Sequence, residues 1–467
     1  MEKFDLIIIG GGAGGFAAAI RANELRAKTM MINAGLPIGG TCVNVGCVPS
    51  KTLLYAGEIL YLTKNHSIPG IELKVGSLNF QKVIQYELAL VEKLRQEKYK
   101  KVLKSLECVK YIEGRAKFIS KNEIEVNNQI LFGEKFVIAT GSTASVPTID
   151  GIHEVGFVTH IEALRLGRQP KGLIVIGAGP LGLEFAQMYA RFGTKVTILQ
   201  RGPSILPRAE KELTQRLSEV LTREGIIIKT DVEVKRARKE NDKKILSYLV
   251  DRKQKEVSGE EILLAAGKTP NTKELNLEKA GVEIDERRAI VVTQSFQTSQ
   301  PNIFAIGDVA NLPWRLEPTA GHEGTLAAEN ALTGSNKSID YNTVPYTIFT
   351  DPQLAAVGYT EDEQIKKIGV CACRTVSFAD VPKAIIMRRT EGLIKMTIHP
   401  QIRQILGVHI LAPNAGELIA EAMMLVKNKS TIDDVVSSLP MFPTLSEAIK
   451  IVALSFTKDI TKLSCCI

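Results

Sequence analysis

The stretch FDLIIIGGGAGGFAAAIRANELRAKTMMIN, residues 4–33, decides what kind of chain this is. An apolar run ends at Ile9 and meets Gly10, Gly12 and Gly15 in a G-x-G-x-x-G spacing. Apolar residues then recur at helical period, and a second run over residues 28–33 ends on Asn33. Strand, glycine turn, helix and strand form the context in which such glycines carry meaning. They permit a tight turn and let backbone amides approach a pyrophosphate at a helix N-terminus.

The pattern returns at residues 172–201, GLIVIGAGPLGLEFAQMYARFGTKVTILQR, with glycines Gly177, Gly179 and Gly182. Two copies in one chain imply two bound dinucleotides. An acid after the second strand would bond the ribose hydroxyls and favour NAD. The first copy has Asn33 there, which can still make a hydrogen bond. The second has Gln200 and Arg201, with Arg208 close behind. Cations without an acid suit a 2′-phosphate, so the second unit is expected to take NADPH.

With 467 residues, two to four domains are expected. Apolar residues make up 45% and charged residues 24%, the composition of a soluble globular chain. The net charge of +8 gathers partly in VEKLRQEKYKKVLKS, residues 91–105. Its apolar positions are helically spaced and no aromatic interleaving supports nucleic-acid binding, so it reads as a solvated helix face. No signal peptide opens the chain, and no stretch approaches the roughly 20 apolar residues of a membrane span. The expected location is the cytoplasm, where thiols are kept reduced. Seven cysteines are then not expected to form a disulfide framework.

Two of them stand in GGTCVNVGCVPSK, residues 39–51. Zinc sites pair one C-x2-C with another, and Cys42 and Cys47 have neither that spacing nor a partner pair. A helix is expected over residues 50–62. A thiol at a helix N-terminus has a lowered pKa, which suits a reversible dithiol/disulfide couple.

These residues closely resemble the redox motif of the flavoprotein disulfide reductase family, and further motifs come in order along the whole chain. ATGS (139–142) and AAGKTPNT (265–272) resemble its junctions between nucleotide domains, TSQPNIFAIGDVA (298–310) its second FAD motif, and FTDPQLAAVGYTE (349–361) the start of its dimerisation domain. The resemblance implies an α/β fold with two Rossmann-like dinucleotide-binding domains and a C-terminal α+β dimerisation domain. Residues 1–145 and 272–340 would bind FAD, 146–271 would bind NAD(P)H, and 341–467 would dimerise. It further implies that FAD sits on the first glycine unit, held also by Gly35, Thr41, Lys51, Ala116, Thr140, Gly141, Asp308 and the backbone near Leu316. NADPH would sit on the second, near Gly267. Cys47 would face the flavin as a thiolate, Cys42 would meet the substrate, and Lys51 and Glu184 would pair beside the flavin.

Members that reduce organic disulfides use a His on the dimerisation segment as proton shuttle, oriented by a Glu. Here the segment reads LPMFPTLSEAIK, residues 439–450. Glu447 matches the acid, but Phe442 stands at the His position, and phenylalanine transfers no proton. A soft divalent metal ion accepts two electrons without that base, and thiolates are its ligands of choice. The tail FTKDITKLSCCI, residues 456–467, resembles the mercury(II)-reducing branch of the family. There a vicinal pair, here Cys465 and Cys466, receives Hg(II) and passes it across a homodimer interface to the redox cysteines. Tyr99 and DVPKA (380–384) match that branch too. Phe442 departs from it, since a second tyrosine is usual there. So does the start of the chain directly at the first strand, without a preceding metal-binding domain.

Three other readings compete. A lipidation box needs cysteine fourth from the end, where Ser464 stands. A thiol protein that only sequesters metal has no use for two dinucleotide fingerprints. A dihydrolipoamide dehydrogenase-like disulfide reductase with another proton donor is the alternative activity. Cys371 and Cys373, in CAC, could bind metal, but their alternation in a strand-like stretch favours buried packing, and Cys108 is expected to be buried too.

Overall fold

Strand β1 (Glu2–Ile9) is apolar from Leu6 to Ile9 on both faces, as a central parallel strand must be. It pairs in parallel with β2 (Thr29–Asn33) on one side and with Gln129–Ile138 on the other. Val109–Glu113 extends the sheet beyond β2. The distant strand Ile303–Ala305 joins the end of Gln129–Ile138, with Ile303 opposite Phe136. Helix α1 (Ala13–Glu24) returns the chain from β1 to β2 and packs against Glu317–Thr333. The structure is a computed structural model that describes residues 2–464.

The second glycine unit repeats this plan. Gly172–Ile176 lies between Lys195–Leu199 and Glu261–Leu264, all parallel. Each glycine loop therefore sits where strand order reverses, the crevice in which open α/β sheets bind ligands. The two units are joined by a short antiparallel ladder of Ser142–Ala144 with Lys268–Pro270. Its strands continue ATGS and AAGKTPNT, the stretches read from sequence as junctions. A five-stranded antiparallel sheet comes next, ordered Tyr346–Ile348, Gln353–Gly358, Ile405–Ala412, Leu393–Ile398, Ala372–Ser377. Helices Ala415–Lys427 and Glu447–Leu454 contribute to its core. No described helix is long and apolar enough to cross a membrane.

Helix α2 (Gly40–Val45) carries Cys42, and helix α3 (Cys47–Asn65) begins on Cys47 itself, three residues before the expected start. Helix α3 packs on Pro180–Phe192 of the second unit, where the Arg191 guanidinium stacks 4.2 Å from the ring centroid of Tyr61 on α3. The same guanidinium is 4% exposed and binds Glu224 at 2.8 Å and Asp351 at 3.0 Å. Helix α4 (Phe80–Arg95) runs into the basic stretch, which is helical as expected, but residues Gln96–Lys100 form a π-helical turn that the hydrophobic pattern did not reveal. The three cysteines expected to be buried, Cys108, Cys371 and Cys373, are each only half-buried.

Candidate active site

The glycines of both units divide into the same roles. A Cβ on Gly15 would lie 1.9 Å from the Gly10 carbonyl oxygen, and one on Gly182 2.1 Å from that of Gly177, so both third glycines are fixed by helix–strand contact. The second glycines differ. A Cβ on Gly179 meets nothing within 4 Å, and one on Gly12 meets only Gly40 Cα at 3.8 Å. These open faces leave the room a pyrophosphate needs.

An amide side chain braces each loop from the end of the second strand. Asn33 Oδ1 accepts the Gly11 N–H at 3.1 Å while its amide donates to the Leu36 carbonyl at 3.0 Å. Gln200 Oε1 accepts the Ala178 N–H at 3.1 Å while its amide donates to the Ser204 carbonyl. Both residues thus serve their loops with both ends of the amide. Arg201 and Arg208 are exposed and make no ion pair among the described residues.

The other residues expected to hold the two dinucleotides have the following partners and exposure. Asp308 accepts a hydrogen bond from Ser142 Oγ at 2.5 Å, next to Gly141. Thr140 and Asn271 exchange two hydrogen bonds, each at 2.9 Å. Gly267 has Ser145 Oγ as its nearest Cβ neighbour, at 3.9 Å. Ala116 is buried, Leu316 half-buried at the start of Glu317–Thr333, and Gly35 and Thr41 exposed.

The dithiol segment is tied to the first glycine loop. Gly39 N–H donates to the Gly11 carbonyl at 2.8 Å, and a Cβ on Gly40 would meet Gly12 Cα at 2.6 Å. Asn44, 2% exposed, donates to the carbonyls of Pro37, Ile38 and Gly40, and accepts from Arg95 at 2.8 Å. Sequence reasoning passed over Asn44 and Arg95. Asn44 sat in view inside the cysteine motif, but nothing in the sequence pairs it with an arginine 51 residues on.

Within this frame the two thiols are unequal. Cys42 donates toward Cys47, which lowers the Cys47 pKa and raises that of Cys42. Burial opposes the Cys47 shift, while the Lys51 ammonium supports it. Cys47 also opens α3, where unpaired backbone N–H groups favour negative charge. Glu317 faces the pair and disfavours both thiolates. Tyr99 lies 3.2 Å from the position of a Cβ on Gly39 and stacks edge-on against Phe16. Burial pushes its hydroxyl pKa up to about 12, helped by Cys42, so it is a neutral donor at ordinary pH.

Lys51, one turn along α3, binds Glu184 at 2.7 Å and lies 4.6 Å from the Phe349 ring centroid. The other Glu184 oxygen accepts the Phe349 N–H at 2.9 Å. Three segments distant in sequence thereby fix one ammonium beside the dithiol. Replacing Lys51 by Met should raise the Cys47 titration midpoint. The check is a pH titration of thiolate absorbance in the reduced protein; an unmoved midpoint would refute the role given to Lys51.

On the C-terminal segment, Phe442 is 43% exposed, beside Met441 and Leu439 at 76% and 95%. Glu447 is 5% exposed and accepts the Thr444 N–H at 3.0 Å. None of the six histidines is near in sequence. His409 is enclosed in the five-stranded sheet with Nε2 3.1 Å from the Tyr359 carbonyl, while His399 lies just past the end of the strand Leu393–Ile398. Cys465 and Cys466 lie outside the described residues.

Two dinucleotide crevices flanking a polarised dithiol define a pyridine-nucleotide-dependent dithiol oxidoreductase. Residues 4–331 match the family described as pyridine nucleotide-disulphide oxidoreductase, and 344–453 match its dimerisation domain. The chain belongs to this family, whose members use FAD and NADPH. A mercuric reductase of Lysinibacillus sphaericus is 38% identical over 466 residues, covering 100% of this chain and 85% of the relative. A mitochondrial dihydrolipoyl dehydrogenase of Arabidopsis thaliana is 35% identical, covering 97% and 90%. Among solved structures, a Cu(II) complex of the HOCl-induced flavoprotein disulfide reductase RclA of Escherichia coli superposes with a TM-score of 0.86. It is 28% identical, with 98% of this chain and 100% of that one covered.

Proposed function

We propose that the chain is an NADPH-dependent mercury(II) reductase acting as a homodimer. The carrying observation is the polarised Cys42–Cys47 pair combined with Phe442 at the one place where disulfide-reducing members need a proton shuttle. A thiophilic ion needs two thiolates and two electrons, and no acid to protonate a leaving thiol in the rate-determining step. The overall balance is Hg(SR)2 + NADPH + H+ → Hg(0) + NADP+ + 2 RSH. Bound FAD would supply the relay of two electrons from nicotinamide to the thiol site.

The residues of this chain would do the rest. Gly12 and Gly179 leave backbone exposed for the two pyrophosphates, and Arg201 and Arg208 offer charge to a 2′-phosphate. Lys51, fixed by Glu184, holds positive charge beside the flavin position and Cys47. Hg(II) would pass from Cys465 and Cys466 of a partner subunit to Cys42 and Cys47 by exchange of one thiolate for another. That route avoids a free ion. Tyr99 would stand at the mouth of the metal position.

Dihydrolipoyl dehydrogenase-like turnover is the competing activity, since a relative of that name is of similar identity. NADPH oxidation should be brisk with Hg(II) in excess small thiol and at background with lipoamide or glutathione disulfide. Turnover with an organic disulfide and none with Hg(II) would overturn the proposal.

A further inference from the structure

Among the described residues outside the dithiol site, one cluster brings together thiols and a carboxylate. Cys371 and Cys373 flank Ala372 at the start of Ala372–Ser377, the edge strand of the five-stranded sheet. Alternation on a strand puts residues two apart on the same face. Glu361, first residue of helix Glu361–Ile368, projects over that face. The two sulfurs and a Glu361 oxygen all lie within 4.8 Å of one another, and all three residues are half-buried. Metal–thiolate bonds near 2.3 Å, the zinc value, let one ion bridge sulfurs up to about 4.6 Å apart. Sulfurs held within 4.8 Å of each other are close to that span.

The surroundings suit the charge. Lys395, 2% exposed, binds Glu361 at 2.5 Å, Glu210 at 3.2 Å and Glu212 at 3.3 Å. Its ammonium also favours thiolate at both cysteines, against the burial that raises their pKa values. A divalent ion on two thiolates is neutral overall. Lys395 then stays among Glu361, Glu210 and Glu212 beside it. Gln364 accepts a weak hydrogen bond from Cys371 Sγ at 3.5 Å and would orient that sulfur.

We propose that Cys371 and Cys373, with Glu361 alongside, form a second site for a thiophilic divalent ion, on the dimerisation unit and apart from the redox pair. Loading is thiolate exchange: the two bonds of an RS–M–SR complex break, two bonds to Cys371 and Cys373 form, and their two thiol protons leave on two RSH. No electron moves, so the site binds whether or not the enzyme turns over Hg(II), and it stands or falls apart from the proposed reaction.

The test uses the full-length FAD-loaded chain carrying Cys42→Ser, Cys47→Ser, Cys465→Ser and Cys466→Ser. Hg(II) is added as its bis-glutathione complex under reducing conditions, and metal per chain is counted after desalting into a small excess of glutathione. One retained equivalent is expected, with a thiolate-to-metal absorption band. Adding Cys371→Ser and Cys373→Ser should bring retention to near zero, whereas adding Cys108→Ser should leave it at one. No retention in the starting variant would overturn the site. So would retention that survives loss of Cys371 and Cys373, or that is lost with Cys108.

Discussion

Cys47→Ser and Cys42→Ser should each lower Hg(II)-dependent NADPH oxidation by roughly 10⁴-fold or more, the scale of losing one member of a catalytic unit that acts together. Neither remaining thiol can hold a two-coordinate ion alone or form the redox disulfide. The two variants should nonetheless differ in the reduced, metal-free protein. In Cys42→Ser the thiolate at Cys47 keeps the N-terminus of α3, the Lys51 charge and a hydroxyl donor in place of the thiol. In Cys47→Ser the sulfur left behind is Cys42, whose pKa burial and the nearby Glu317 carboxylate keep raised once its Cys47 partner is gone. Thiolate absorbance should therefore appear at lower pH in the first variant than in the second. The sign comes from the shift: a depressed pKa means that thiolate is present above the lowered midpoint and disappears as pH falls through it. Equal thiolate in both variants would show that the polarity of the pair had been assigned backwards.

Why that polarity was only half legible in the sequence is a matter of range. The glycine spacing, the strands around it and the Cys42–Cys47 motif are local, and local patterns survive in one dimension. So the two nucleotide units and the placement of Cys47 near a helix start could be anticipated from neighbouring residues, whereas the junction strands were legible only through family resemblance. Lys51 could be read as a helix residue, but its partner Glu184 lies 133 residues away and its third contact, Phe349, further still. Only family resemblance linked the first two, and nothing in the sequence supplied the third. Asn33 and Gln200 show a subtler limit. Their position after a strand was plain, yet their side chains turn inward to brace the glycine loops. The π-helical turn at Gln96–Lys100 was hidden for a related reason: a single wide turn inside a helical stretch has no propensity signature of its own in the residues around it. At Cys371 and Cys373, alternation on a strand favours packing over metal binding until the covering helix brings Glu361 beside them.

Two glycine substitutions three residues apart should fail in different ways, and their contrast tests the cofactor site directly. In Gly15→Ala the new methyl group would overlap the Gly10 carbonyl oxygen at 1.9 Å and press on Ile8 at 3.3 Å. Both the strand end and the helix start are held by their own hydrogen bonds, so relief requires α1 to move off the sheet. Overpacking of this kind costs about 3 kcal/mol or more. The variant should be poorly soluble or melt well below the parent, with added FAD or without. In Gly12→Ala the methyl group meets only Gly40 Cα at 3.8 Å, an ordinary contact, so the apoprotein should fold and melt near the parent apoprotein. What the methyl does occupy is the approach of a pyrophosphate to the loop backbone. Flavin absorbance per chain should therefore fall by about 10-fold or more after gel filtration, and added FAD should no longer raise the melting temperature. A Gly12→Ala protein that keeps stoichiometric flavin would mean the cofactor does not lie against this loop, and the proposed electron path from the second unit to Cys47 would have to be redrawn.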